Sequence, residues 1–131
     1  MQDILIREIE RLGQMIAAIL ERVGGMRRSG SGEPVLPVVK TELADRLDMD
    51  LDTLLEEDDP ADVLVSRYGF DTGNLEKFAE LLFDVTVASD DTSERRRLAA
   101  GIRNIYGYLE HNTNSASLYR YEILRELQDY E

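Results

Sequence analysis

The feature that most constrains this chain is a helical spacing of apolar residues that recurs from end to end, without any sustained alternation of β-branched residues. Apolar residues three and four positions apart share one face of an α-helix, whereas a half-buried strand requires strict alternation. The pattern therefore predicts an all-α fold, a helical array of about six to seven helices. The length of 131 residues fits a single helical domain, residues 1–131, with one small core.

The N-terminal segment, residues 1–23, is predicted to be an amphipathic helix with the longest apolar stripe of the chain. Gly24 and Gly25 are predicted to end it as a left-handed cap. Residues 24–37, rich in Gly and Ser, are predicted to be a linker, and residues 38–131 the helical core. The members of the stripe repeat at intervals close to a heptad; they are Leu5, Ile9, Leu12, Ile16, Ile19 and Val23.

A helix of this length is marginal alone in water, so its stripe must pack on something. Two features favour a second copy of the chain: the near-heptad spacing and the predicted linker that separates the helix from the rest. The sequence therefore predicts a homodimer, and packing on its own domain is the alternative. The predicted interface residues are Leu5, Ile9, Leu12, Ile16 and Ile19.

Three further helices are expected in the second half of the chain. The helix over residues 74–88 is apolar around much of its circumference, which predicts a central position with Leu82 deeply buried. The next helix is expected from Asp91 to about His111, with Ala100 and Gly107 letting a neighbour approach, and the last over residues 115–130.

The net charge of −12 is concentrated in residues 41–94, which hold three basic and seventeen acidic side chains. Such a field repels phosphates and anionic lipids and favours a basic partner, so neither nucleic acid nor a membrane is expected as a partner. Charged residues interrupt the N-terminal apolar pattern, which excludes a signal peptide and favours a cytoplasmic location. The absence of cysteine excludes thiolate catalysis and zinc–sulfur sites.

Motifs that suggest specific chemistry are incomplete. Residues 42–56 resemble a DNA-binding helix-turn-helix, but the second helix lacks the basic residues that reach phosphates and base edges. The acids from Asp48 to Asp59 imitate a calcium loop without its Gly and its bidentate Glu. His111, the only histidine, has no nucleophile beside it in sequence. No catalytic, metal or cofactor residue is predicted, and the chain is not expected to be an enzyme.

Two groups of residues are candidates for partner binding. Arg95 and Arg96 belong to a basic run at a helix start, where an acidic partner or the acidic middle of the chain would pair with them. Four tyrosines fall in the last two helices, and tyrosine is enriched at interfaces because it combines an apolar ring with a polar tip. They are Tyr106, Tyr108, Tyr119 and Tyr121.

Residues 95–130 have the length of a tetratricopeptide helix pair, with Ser117 and Tyr121 where that repeat places Ala and Phe. More broadly, the segments QDILIREIERLGQMIAAIL, NLEKFAELLFD and IYGYLE…YRYEILREL are similar to an uncharacterised family of small bacterial all-helical proteins with a tetratricopeptide-like C-terminal half. The resemblance implies an all-α fold and a bacterial cytoplasmic setting. It assigns no activity and no site residue.

These observations favour a protein–protein interaction or scaffold module that recognises a protein or peptide. One alternative is a small-molecule binder or enzyme with a pocket between helices, which would need a closed pocket with catalytic groups. A second alternative is an acidic mimic of nucleic acid, which would need the acids clustered on one side.

Overall fold

A computed structural model describes residues 2–30, 34–113 and 117–131, and its helices confirm the all-α fold. No residue in these ranges lies in a β-strand. A 3₁₀ turn over Gln128–Tyr130 follows the last helix. The α-helices of the described residues are α1 (Gln2–Ser29), α2 (Val35–Leu47), α3 (Leu51–Glu56), α4 (Pro60–Tyr68), α5 (Thr72–Ala88), α6 (Thr92–Thr113) and α7 (Leu118–Leu127).

Helix α5 is the centre of the fold. It packs most extensively on α6 and on α1, and less extensively on α2. Leu75, Phe78 and Leu82 are fully buried, which confirms the burial predicted for Leu82. Because neighbours cover α5 on several sides, its apolar residues extend beyond a single stripe.

Aspartates begin four of the helices. The carboxylates of Asp50, Asp59 and Asp71 accept hydrogen bonds from backbone N–H groups in the first turns of α3, α4 and α5. Asp91 does the same for the N–H of Glu94 at the start of α6. Each carboxylate satisfies a donor that has no partner within the helix and complements the helix dipole. Four acids of the middle of the sequence therefore define the starts of helices.

Helix α1 is longer than predicted, because Gly24 and Gly25 lie inside it. A glycine costs a helix about 1 kcal/mol relative to alanine, and here packing outweighs that cost. Met26 packs against the core, and an Arg27 nitrogen lies 3.3 Å from a carboxylate oxygen of Asp84 on α5. The left-handed position is instead Gly30, with φ of 61°. The predicted cap was therefore wrong.

The predicted linker, residues 24–37, is wrong at both ends, because packing extends the helices on either side of it. Residues 24–29 belong to α1, and residues 35–37 are the first turn of α2. Val35 is buried, so the second helix begins earlier than its composition suggested. The middle of the predicted linker, residues 31–33, lies outside the described residues.

The apolar stripe of α1 packs within its own chain. Leu12, Ile16 and Ile19 are 6%, 0% and 1% exposed, and α1 contacts α5 and α2. A dimer seam through these three residues would require the core to open, so they are corrected to core positions. Leu5, 58% exposed, and the partly buried Ile9 remain accessible.

The last two helices differ in detail from a tetratricopeptide pair. Ser117 is the N-cap of α7, its hydroxyl accepting a hydrogen bond from the N–H of Arg120, and Tyr121 is 65% exposed. Ile123 and Leu127 make the buried contacts of α7 instead. The predicted start of this helix at Ser115 lies outside the described residues. The tetratricopeptide-like pairing stays a prediction.

Candidate interaction surface

Large apolar side chains are exposed at two places in the described part of the chain. Scattered exposed apolar residues are normal, whereas adjacent ones on a single element mark a candidate contact surface. One group, the α1 tip, comprises Ile4, Leu5 and Ile6, which are 60%, 58% and 52% exposed; the other, the α7 ridge, comprises Leu118, Tyr119 and Tyr121, which are 75%, 49% and 65% exposed.

The α7 ridge faces outward because the opposite side of α7 is fixed to the core. Arg120, Ile123 and Leu127 are buried, and their spacing places them on one helical face. The Arg120 side chain is 4% exposed, and its Nε lies 2.8 Å from a carboxylate oxygen of Glu76 on α5. With this inward face held, Leu118 and Tyr121 are presented to solvent.

The four tyrosines predicted to bind a partner do not share one environment. Tyr106 is 1% exposed, its hydroxyl has no hydrogen-bond partner in the described part of the chain, and burial raises its pKa. Tyr108 is partly buried against the core. Only Tyr119 and Tyr121 are exposed. Tyr106 continues the stripe of Ile102 and Leu109 on α6, a signal already present in its spacing.

Two acidic residues of α5, Glu80 and Asp84, lie beside Tyr119, and we call them the α5 acid pair. Both are partly buried. Burial raises the pKa of Asp84; Arg27 opposes the rise, and Glu80 adds to it. Burial, followed by the charges of Glu80 and Asp84, raises the pKa of Tyr119 to about 12. The acid pair therefore lies between α1, which carries Arg27, and α7, which carries Tyr119.

The basic run at the start of α6 divides into three different environments. The Nε of Arg95 donates a hydrogen bond to the Ser89 carbonyl at 2.6 Å, and its guanidinium lies 5.7 Å from the centre of the Tyr130 ring. Arg96 is exposed, and Arg97 pairs with Asp52 and Glu94. Arg95 therefore lies near the C-terminal end of the α7 segment, away from the exposed tyrosines at its other end.

The acids that imitate a calcium loop have separate structural roles. Asp48 is a left-handed C-cap with φ of 52°, Asp50 and Asp59 are N-caps, and Asp52 pairs with Lys40 and Arg97. Across residues 2–30, 34–113 and 117–131, no three His, Asp or Glu side chains converge as a metal site would require. The resemblance to a helix-turn-helix is limited by α3, which has only six residues.

The open grooves of the fold carry mixed charge. One of about 430 Å³ lies between α1, α2 and α4 and includes Arg11, Arg46 and Arg67 together with Glu8 and Asp45. Another, of about 370 Å³, lies between α1 and α5, where Gly13, Ala17 and Gly73 leave space. His111 is exposed in the last turn of α6.

Comparisons with protein families, with curated proteins and with solved structures find no match for this chain. The family resemblance of the three segments therefore stays a prediction. Among the described helices, none combines the length and the apolar character that crossing a membrane requires.

Proposed function

We propose that this protein is a cytoplasmic protein–protein interaction module that contacts its partner through the α7 ridge. The observation that carries the proposal is the exposure of Leu118, Tyr119 and Tyr121 on a helix whose other face is buried. Aromatic side chains anchor protein interfaces because they bury a large area and lose little conformational entropy.

The packing of α7 supports recognition by a preformed surface. The ion pair between the buried Arg120 and the partly exposed Glu76 and the buried Ile123 and Leu127 fix the helix before a partner arrives. The rings of Phe83 and Tyr130, with centroids 6.4 Å apart, hold the segment that follows α7 against α5. A surface that is already ordered avoids part of the entropy cost of binding.

A photo-crosslinking amino acid at position 121 tests the proposal in cells. We expect a discrete protein adduct that is lost when Leu118→Ser and Tyr119→Ser are added. The matched control places the same amino acid at Ala100, which is exposed on α6 outside the α7 ridge. Equal adducts at both positions, or none at position 121, would contradict the proposed role of the ridge.

A further inference from the structure

We propose that the partner is a second copy of this chain, and that the α1 tip of each copy docks on the α5 acid pair and α7 ridge of the other. Arg7 and Arg11 would meet Glu80 and Asp84, while Ile4 would pack on the exposed ridge. The inference rests on the proposed function and identifies the partner of that surface.

The two charged pairs match in spacing. Arg7 and Arg11 are four residues apart on α1, and Glu80 and Asp84 are four apart on α5. Residues at this spacing share a helical face, with their Cβ atoms about 6 Å apart. Two helices lying side by side can therefore bring both pairs of opposite charges together.

The two arginines and the α5 acid pair have few charged partners within their own chain. Arg7 and Arg11 are exposed, and neither belongs to an ion pair among the described residues, whereas most other cations of the fold do. Within the same residues, Arg27 is the one cation within ion-pair distance of the acid pair, and it contacts a single oxygen of Asp84 at 3.3 Å.

An apolar surface lies next to each of the two charged pairs. On an ideal helix Ile4 lies within about 60° of both Arg7 and Arg11, so one face of the α1 tip is apolar at its start and cationic beyond. On the other side, Tyr119 is close enough to Glu80 and Asp84 for both charges to affect its pKa. An arginine on the acid pair would also lie near the Tyr119 ring, where a cation–π contact adds to the attraction.

The geometry favours a reciprocal dimer over a single contact. A stable interface buries about 800 Å² on each partner, and one short helix end supplies only a fraction of that area. In a two-fold dimer each copy gives its α1 tip and receives the other, so the contact occurs twice and the assembly closes. Such a dimer would cover Ile4 of the α1 tip and the side of the α7 ridge around Tyr119, which are both exposed within one chain.

Light scattering during gel filtration of the full chain, at tens of micromolar, tests the inference with two charge-reversed variants. We expect the wild type to be a dimer. Arg7→Glu/Arg11→Glu and Glu80→Arg/Asp84→Arg should each be monomeric, with dimerisation weakened about tenfold or more, as for close interfacial charge pairs.

Mixing the two monomeric variants gives the decisive measurement. In their heterodimer both contacts are again charge-matched, one in the native sense and one reversed, so an equimolar mixture should dimerise. The control Asp58→Arg/Asp62→Arg changes the net charge by the same amount as Glu80→Arg/Asp84→Arg, but at exposed positions of the α4 region. It should remain dimeric. If Glu80→Arg/Asp84→Arg loses helical circular dichroism, Glu80→Lys replaces it, since Glu80 has no ion pair among the described residues. It is then mixed with Arg7→Glu and with Arg11→Glu separately, because one reversed acid can match only one reversed arginine.

Three results would overturn the inference: a monomeric wild type, a dimeric charge-reversed variant that is folded, or a mixture that stays monomeric. None of these depends on whether position 121 crosslinks to another protein. A monomeric wild type with a specific adduct at position 121 would leave the proposed function in place and remove the second copy as its partner.

Discussion

Two glycines of α6 show how strongly one residue's surroundings decide its role. A Cβ added at Gly101 would lie 2.8 Å from Cδ2 of Leu55 and 3.6 Å from Cδ1 of Leu82, whereas one added at Gly107 would meet no atom of the described residues within 4 Å. The prediction that a neighbouring helix approaches α6 at Ala100 and Gly107 is wrong, since both residues are exposed. Consecutive helical residues differ by about 100° in direction, so an error of one residue moves the contact to another face.

We expect Gly107→Ala to raise the free energy of unfolding by about 0.5–1 kcal/mol, because alanine favours the helix and the new methyl group meets no neighbour. Gly101→Ala should be destabilising, by about 1–3 kcal/mol if Leu55 shifts only partly. Urea unfolding of both variants checks this pair. Equal stabilisation by the two substitutions would show that α6 does not approach Leu55 so closely.

Leu82 tests the position of the core. Because it is fully buried on the central helix, Leu82→Ala should cost about 2–5 kcal/mol, the range for truncated core leucines. Leu118→Ala removes the same atoms from a side chain that is 75% exposed and should change stability by less than about 0.5 kcal/mol. Similar losses in guanidinium unfolding of both variants would contradict the burial described for α5.

At the scale of elements, α1 shows what the apolar spacing predicts well and what it leaves open. The spacing identified the helix and the buried positions Leu12, Ile16 and Ile19. It did not identify the partner of that stripe, because helical bundles and coiled coils bury the same kind of stripe. It also did not place the end of the helix, because packing of Met26 and the Arg27–Asp84 contact act across distances that local composition does not describe.

The end of α1 can be tested with two glycines. Gly25 lies inside the helix and a Cβ there would meet none of the described atoms within 4 Å, whereas Gly30 has φ of 61°. Gly25→Ala should therefore stabilise the fold by about 0.5–1 kcal/mol, and Gly30→Ala should destabilise it by about 1 kcal/mol, the cost of a left-handed non-glycine residue. Thermal unfolding followed by circular dichroism compares them; the opposite order would place the end of the helix at Gly24–Gly25.

The candidate surface was only partly predictable for a related reason. Tyr119 and Tyr121 were singled out from composition, but Tyr106 was grouped with them although it belongs to the core. The α5 acid pair was missed, because the acids at residues 45–62 dominate the sequence. The available signal was the spacing of Glu76, Glu80 and Asp84, which places three acids on one face of α5. The structure pairs Glu76 with Arg120 and leaves Glu80 and Asp84 partly exposed.

At the scale of the whole molecule, the direction of an acidic residue's pKa shift decides whether its charge stabilises the fold. An ionised acid with a lowered pKa stabilises the fold, and one with a raised pKa destabilises it. The hydrogen bond from Arg97 lowers the pKa of Asp52, and the hydrogen bond from Arg46 lowers that of Glu42. A lowered pKa means that the ionised group stabilises the folded state at pH 7, and this contribution is lost as the pH falls through the folded-state pKa. Burial gives Asp84 a raised pKa, so its ionised form costs stability above that pKa.

Amide substitutions at Asp52 and Asp84 should therefore shift the free energy of unfolding in opposite directions at neutral pH. At protein concentrations below those at which the chain dimerises, Asp52→Asn removes a favourable charge and should destabilise the fold, whereas Asp84→Asn removes an unfavourable one and should stabilise it. Both groups are partly solvated, so each change should be under about 1 kcal/mol. Asp58→Asn is the matched control, since Asp58 is exposed and in no ion pair among the described residues.

Urea unfolding across a pH series measures the effect and its sign. As the pH falls, the difference between Asp84→Asn and wild type should shrink first, because the raised pKa lets Asp84 take up its proton earlier. The difference for Asp52→Asn should persist to lower pH and disappear only when that carboxyl is protonated. If the two differences have the same sign at neutral pH, or disappear in the reverse order, then Asp84 is not held at an energetic cost. A residue that lowers the stability of its own fold is usually retained because function requires it. A destabilising Asp84 on an accessible face would therefore indicate a role in binding and not in folding.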